Sequence, residues 1–217
     1  MSGYSGFQFN GKRLSDFGCF VAKRETPTPG KAQITETIPY MSGSYDFSAL
    51  YGAPCYNDRT IKYMVDLVGA DLIDLAAQKQ QLQNWLLPCH RSQLIDDSMP
   101  DWYFLAECIS VIPSDDKILS ELTIEFAASP FKFSVNLQTA SYAPSAAADV
   151  VANNAGTVTV TPTITCAAAA TVVYGGNTYT LGIGAHTSYT FALAPGNNTF
   201  NITSTGAVTI AWRTEVL

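Results

Sequence analysis

Two histidines, five cysteines and two pairs of adjacent aspartates are the residues of this 217-residue chain best suited to chemistry. His90 and His186 stand apart, and neither belongs to an H-x-x-x-H or H-E-x-x-H spacing that would bring two imidazoles to one metal. Cys89-His90 sets a thiol beside a base. Neighbours along a chain cannot easily aim at each other, and no nucleophile signature surrounds this pair. His186 falls in Gly184-Ala185-His186-Thr187-Ser188, which reads as an exposed turn between strands. Asp96-Asp97 and Asp115-Asp116 are paired carboxylates of the kind used in glycoside hydrolysis. Their surroundings, Asp96-Asp97-Ser98-Met99-Pro100-Asp101 and Pro113-Ser114-Asp115-Asp116, have turn composition and read as solvated turns. The cysteines, Cys19, Cys55, Cys89, Cys108 and Cys166, are odd in number and never spaced C-x-x-C. That argues against a disulfide framework and a zinc knuckle, and for small buried thiols in a reducing compartment. There is no phosphate-cradling glycine loop and no G-x-S-x-G. No catalytic residue, cofactor site or metal site is expected, and the chain reads as a non-enzyme.

The elements that would position any site divide the chain in two. Residues 1–136 hold 11 of the 12 Lys and Arg and 16 of the 18 Asp and Glu, whereas 137–217 hold only Asp149, Arg213 and Glu215. The stretch Gln138 to Ala148, small and polar with Pro144, reads as a linker between domains 1–136 and 137–217. The whole chain is 47% hydrophobic and 14% charged, with a net charge of -6. Such a chain is globular rather than disordered, and poorly matched to a phosphate backbone. No apolar run reaches the roughly 20 residues of a spanning helix, and residues 1–10 lack the basic and apolar regions of a signal peptide. No membrane is expected, and a cytoplasmic site of synthesis is.

In the first half, Ile61, Tyr63, Val65 and Leu67 alternate with Lys62 and Asp66, the period of a half-buried strand, and Glu121 to Phe126 alternates likewise. Tyr103 to Ile112 reads as a central strand buried on both faces. Asp71 to Leu87 has the helical period, with Leu72, Leu75, Ala76, Leu82 and Leu86 on one face, Asp71 as N-cap and Pro88 as stop. In the second half, 157–161, 171–174, 178–181, 188–193, 198–203 and 208–212 are six strand candidates separated by Gly, Pro and Asn turns, the pattern of a β-sandwich. The expected fold is mainly β: an N-terminal β-barrel or sheet with one packed helix, then a sandwich.

Several stretches together resemble the distal tail protein family of siphophages. Phe7-Gln8-Phe9-Asn10-Gly11-Lys12 before Leu14-Ser15-Asp16-Phe17-Gly18 is similar to that family's opening strand and turn. Gly43-Ser44-Tyr45-Asp46-Phe47-Ser48, then Tyr51-Gly52, then Tyr56-Asn57-Asp58-Arg59-Thr60-Ile61 resembles its aromatic–Asp–Phe segment, glycine, and arginine entering a strand. The helix ending Leu82-Gln83-Asn84-Trp85-Leu86, the Leu94 to Asp97 turn, Trp102 to Ala106 and Phe126 to Phe131 continue the match across residues 1–136. Pro195 to Phe200 and Ile210-Ala211-Trp212-Arg213 are similar to the family's galectin-like sandwich.

The resemblance implies a hexameric hub ring at the virion tail tip. N-terminal domains would continue the tail tube, and C-terminal domains would dock tail-associated lysin, tail fibre or receptor-binding proteins. DNA would enter only as passage through the lumen. Tyr45, Phe47, Tyr51 and Tyr56, flanking Gly43 and Gly52, suit an extended hairpin reaching a neighbour. Asp46 and Arg59 have the chemistry of an ion pair, within or between subunits. These six residues are the candidate subunit interface, and ordinary core packing with a local salt bridge is the alternative. A different function, a carbohydrate-binding module of an adhesion device, would use the second domain with Trp212 as its sugar contact. An enzyme would need clustered titratable groups, and the nearly charge-free second half supplies almost none.

Overall fold

A computed structural model describes residues 6–40, 42–48, 54–116 and 118–217. Two compact units emerge: the residues up to Lys132 together with Leu217, and Phe133–Val216.

The first unit is built on an antiparallel sheet. Its strands are β1 (Phe7–Phe9), β2 (Lys12–Arg13), β3 (Phe20–Glu25), β6 (Arg59–Val68), β7 (Ser92–Asp96), β8 (Trp102–Asp116) and β9 (Leu119–Ser134), with β4 (Thr35–Glu36) and β5 (Tyr45–Asp46) forming a separate ribbon. The sheet order is β2-β1-β7-β8-β9-β6-β3. Ile61, Tyr63, Val65 and Leu67 of β6 face inward against Leu122, Ile124 and Phe126 of β9. Their alternation meets in register, as in Tyr63 opposite Ile124, so both apolar faces fall on one side.

Helix α1 (Leu72–Leu86) packs against this core through Leu75, Leu82, Trp85 and Leu86. Asp71 caps it as expected, its carboxylate accepting from the N–H groups of Ile73 and Asp74. Leu72 and Ala76, expected on the buried face, are exposed. At about 100° per residue, Trp85 pulls the seam round to the Leu75–Leu82 side, and Leu72 and Ala76 fall beyond its edge.

Strand β8 is also corrected. Phe104, Ala106 and Cys108 are buried on one face, whereas on the other Tyr103 is buried, Leu105 and Glu107 are half-buried and Ile109 is exposed, so the second face is fully covered only at the start of the strand. The strand runs on through Pro113 to Asp116, and Asp115-Asp116 therefore end a strand. The Asp115 carboxylate accepts from Lys79 at 2.8 Å and from Ser120 at 2.6 Å.

The second unit is a sandwich of two four-stranded sheets, β10-β17-β12-β15 and β11-β16-β13-β14. Its strands are β10 (Gln138–Tyr142), β11 (Ser145–Asn154), β12 (Thr163–Cys166), β13 (Ala170–Tyr174), β14 (Asn177–Leu181), β15 (Gly184–Thr187), β16 (Gly196–Ser204) and β17 (Val208–Trp212), with a short β18 (Glu215–Val216) at the end. Phe200, Ile202, Val172, Ile164 and Ile210 fill the space between the sheets.

The expected linker is in fact β10 and β11. Its residues pair with β17 and, across a register shift between Ser145 and Ala148, with β16, and Tyr142 turns inward. Gly184 to Thr187 is strand β15 rather than a turn. Two expected strands are loops. Asn154, buried, donates to the carbonyls of Val158 and Leu193 and accepts from Gly156 N–H, and of 157–161 only Val160 pairs, in an isolated antiparallel bridge with Leu193. Ser188 accepts from Thr190 N–H and starts a 3-10 turn over Tyr189–Phe191.

Candidate functional site

The feature that stands out in the first unit is an arm between β3 and β6. At its base, Lys31 bridges Tyr56, Ala32 N–H donates to Cys55 O at 2.9 Å and Asn57 N–H to Gly30 O at 2.9 Å. Farther out, Phe47 N–H donates to Ile34 O at 2.8 Å. Then β4 and β5 pair antiparallel, Thr35 opposite Asp46 and Glu36 opposite Tyr45. The run Ile34 to Ile38 is rich in β-branched residues bounded by Pro27, Pro29 and Pro39, which is why it extends.

The arm exposes what a folded unit normally hides. Tyr45 is 50% exposed and Phe47 39%. Ile34, Ile38 and Tyr40 are exposed as well. Near its tip Tyr40 holds a left-handed backbone, φ 69°, and Gly43 another, φ 93°, a conformation costly for tyrosine and free for glycine. The rings of Tyr45 and Phe47 lie 6.3 Å apart. These apolar side chains are gathered, exposed, on one short ribbon.

Of the six residues expected at an interface, Tyr45 and Phe47 lie on the exposed ribbon. Tyr51 lies outside the described residues. Tyr56, half-buried, meets the edge of Phe131 with ring centres 5.9 Å apart. Asp46 accepts from Ser48 N–H at 2.8 Å, and the Ser48 hydroxyl and N–H hold its carboxyl below the usual value.

Arg59 is only 7% exposed and makes no ion pair with Asp46 among the described residues. Its guanidinium donates to the carbonyls of Pro27 at 3.4 Å, Ser129 at 3.4 Å and Pro130, and lies 4.8 Å from the centre of the Phe104 ring. Burial pulls its pKa down from the ordinary arginine value. Because Pro27 precedes the arm and Arg59 follows it, this side chain pins both roots of the arm to β9. Its fork of five donors suits three carbonyls, so it positions the arm rather than forming part of the exposed surface.

Sequence reading passed over Ile34, Ile38 and Tyr40. Their signal was the proline-bounded β-branched run, which carries no titratable chemistry to draw notice.

The other candidates are placed as follows. Trp212, the candidate sugar contact, is 5% exposed in the sandwich core, so no ring face is offered to a sugar. Its Nε1 has no hydrogen-bond partner among the described residues. Asp96 is not a solvated turn residue. At 1% exposure it accepts from Tyr63 Oη at 3.0 Å and from Ser98 N and Oγ, with Arg24 Nε 3.4 Å away. Cys89 donates to Trp85 O at 3.1 Å and is turned toward the helix. His186 Nε2 lies 2.8 Å from Gly182 O. No group of three metal-binding side chains occurs among the described residues.

Comparison with known proteins adds three findings. The family model of the phage tail protein RIFT-related domain matches residues 13–139, more than half of the chain. Among solved structures, the crystal structure of SPP1 Dit (gp 19.1), described as a paradigm of the hub adsorption apparatus in phages infecting Gram-positive hosts, aligns with a TM-score of 0.74 at 15% identity. That alignment covers 98% of this chain and 99% of the SPP1 protein. Two structures of the phage p2 baseplate in its activated conformation, with Sr and with Ca, align at a TM-score of 0.49 and 7% identity over 97% of this chain and 98% of theirs. Curated proteins give no match.

Proposed function

The chain belongs to the phage tail protein RIFT-related domain family, and on that premise we propose that it is a distal tail protein whose copies close into a hexameric hub ring. Its role is structural, in the virion tail. The observation that carries the ring reading is the arm, with Ile34, Ile38, Tyr45 and Phe47 exposed on one ribbon. A ring is closed by a heterologous contact, in which a projecting element of one copy meets a different surface of the next. Exposed aromatics held on a pinned ribbon provide the anchors such a contact needs.

In this reading the first unit continues the tail tube and the second docks tail-associated lysin, fibre or receptor-binding proteins. DNA only passes through the lumen, and assembly takes place in the host cytoplasm. The chain-long likeness to a hub protein of the adsorption apparatus supports this placement. The domains acting in it are 1–136 and 137–217. Sugar binding by the second unit has lost its candidate residue, because Trp212 is in the core.

Native mass measured by light scattering after size exclusion, over a range of concentrations, tests the proposal. A hexamer or a stack of two is the expected result. A monomer at every concentration removes the self-closing ring.

A further inference from the structure

In the sandwich, β14 ends the sheet β11-β16-β13-β14, and among the described residues no strand pairs with its outer side. A free edge is a template for another strand, and chains blunt such edges with charge, proline or bulges. This chain does so elsewhere. The edge strand β2 is Lys12–Arg13. The edge strand β3 carries Lys23, Arg24 and Glu25, with a register shift between Val21 and Lys23. Pro144 follows β10, and β11 is shifted between Ser145 and Ala148. In β15, Gly184 holds a φ of 116°. β14, Asn177-Thr178-Tyr179-Thr180-Leu181, has none of these guards. No Asp, Glu, Lys or Arg occurs from residue 150 to 212, so two such edges can meet without setting like charges against each other, although the chain is at -6 overall.

The register fixes what this edge offers. Gly175-Gly176, at φ 58° and 79°, is a two-residue turn between β13 and β14, and across such a turn the flanking residues, Tyr174 and Asn177, exchange both backbone hydrogen bonds. By alternation Tyr179 is tied to Val172 and Leu181 to Ala170, while the N–H and C=O of Thr178 and Thr180 point off the sheet. Both threonines are exposed. Exposed apolar side chains flank the strand. Tyr179 meets the Phe191 ring edge-on with centres 4.9 Å apart, which sets the 3-10 turn carrying Tyr189, 89% exposed, beside β14. Ile183, just past the strand, is 76% exposed.

We propose that β14 pairs with β14 of a second copy, antiparallel about a two-fold axis at Tyr179. Thr178-Tyr179-Thr180 reads the same in both directions, so this axis sets each Thr178 opposite the other copy's Thr180. Each of these two pairs exchanges both its hydrogen bonds, and every outward N–H and C=O of the threonines finds its complement. Their side chains meet on the outer face as cross-strand threonine pairs, an arrangement Thr163 and Thr187 already form within the chain, with hydroxyls 3.1 Å apart. The two four-stranded sheets become one continuous sheet. The contact is isologous, so each copy uses the edge once and the pair closes on itself. A single pair of short strands makes a small contact of the weak class, and several acting together between larger assemblies would be stronger. The ring proposed above is not a premise of this inference.

Amide hydrogen exchange and sedimentation velocity on the full chain, from micromolar to millimolar, provide the test. In a lone copy the Thr178 and Thr180 amides face water and exchange fast, whereas the Tyr179 amide is held by Val172. As concentration rises, the two threonine amides should slow and the mass should double. T178K/T180K and T178E/T180E each set two like-charged pairs across the axis and should weaken the doubling about tenfold or more. Mixing the two variants in equal amounts should restore it. Threonine amides that stay fast at every concentration, T178K/T180K masses equal to the wild type's, or a mixture that behaves as its separate components overturns the proposal. Slow threonine amides in a monomeric protein would mean that the chain covers its own edge, which also overturns it. Loss of a hexamer in T178K/T180K would assign the edge to the ring and overturn the two-fold pairing. A wild type that reaches only a dimer, lost in T178K/T180K and regained in the mixture, would defeat the ring and leave this contact standing.

Discussion

Replacing Tyr45 and Phe47 together with alanine tests whether the arm makes the contact between copies. Tyr45 is 50% exposed and Phe47 39%. With about 200 Å² for a whole aromatic side chain, about 100 and about 80 Å² remain for a neighbour to cover. At about 25 cal/mol per Å², covering both is worth about 4 kcal/mol per contact, which corresponds to about a thousandfold in its dissociation constant. The two rings are 6.3 Å apart, so their contributions overlap and the double variant is the cleaner measurement. Sedimentation velocity from micromolar to hundreds of micromolar should show the wild type assembled and Y45A/F47A largely dissociated. The unfolding temperature should hardly change, because the ribbon lies outside the core. A Y45A/F47A protein that assembles at the same concentrations as the wild type, with its fold intact, would refute the argument that these rings anchor the contact.

Other predictions concern the framework behind the arm and the β14 edge. Asp96→Ala removes the acceptor of the buried Tyr63 hydroxyl and the carboxylate beside Arg24 Nε. It should cost about 3–5 kcal/mol in urea unfolding, against about 1 kcal/mol for Tyr63→Phe, which removes a single hydrogen bond. Burial raises the Cys108 thiol to about 12 and Cys19 to about 11. Both are therefore protonated and poor nucleophiles at pH 8, and a thiol reagent on the native protein should modify exposed Cys55 first and reach these two only after unfolding. Lys79 and Ser120 hold Asp115 below its ordinary value. The resulting stability is present at neutral pH and is lost as the pH falls through the lowered folded value, so Lys79→Met should flatten the acid limb of a Tm-versus-pH curve. At Gly156 an added Cβ would collide with the backbone carbonyl of Glu215, and Gly156→Ala should lower sandwich stability by about 1–3 kcal/mol, read from Trp212 fluorescence.

Much of the fold was legible because the signals were periodic. The alternation of Ile61, Tyr63, Val65 and Leu67 could satisfy only a strand with one covered face, and Asp71 with Pro88 bounded the helix by capping and ring chemistry that operate locally.

Where burial depended on a distant partner, the sequence pattern misled. Gln138 to Ala148 has a linker's composition, yet it forms strands because β16 and β17, some 60 to 70 residues later, present their edges to it. Asp96 reads as a turn aspartate until Tyr63 and Arg24 arrive from other strands. Asp66 and Glu121 look like ordinary surface carboxylates until the β6–β9 register sets them opposite each other. Arg59 was legible as an arginine entering a strand, but whether it faced a neighbour or its own core depended on carbonyls contributed by residues 27, 129 and 130. The sequence alone determined the mainly β class and the division of charge. Only the tertiary structure decided which aromatics are exposed and which charges are paired, because exposure and pairing are set by long-range contacts that no local pattern encodes.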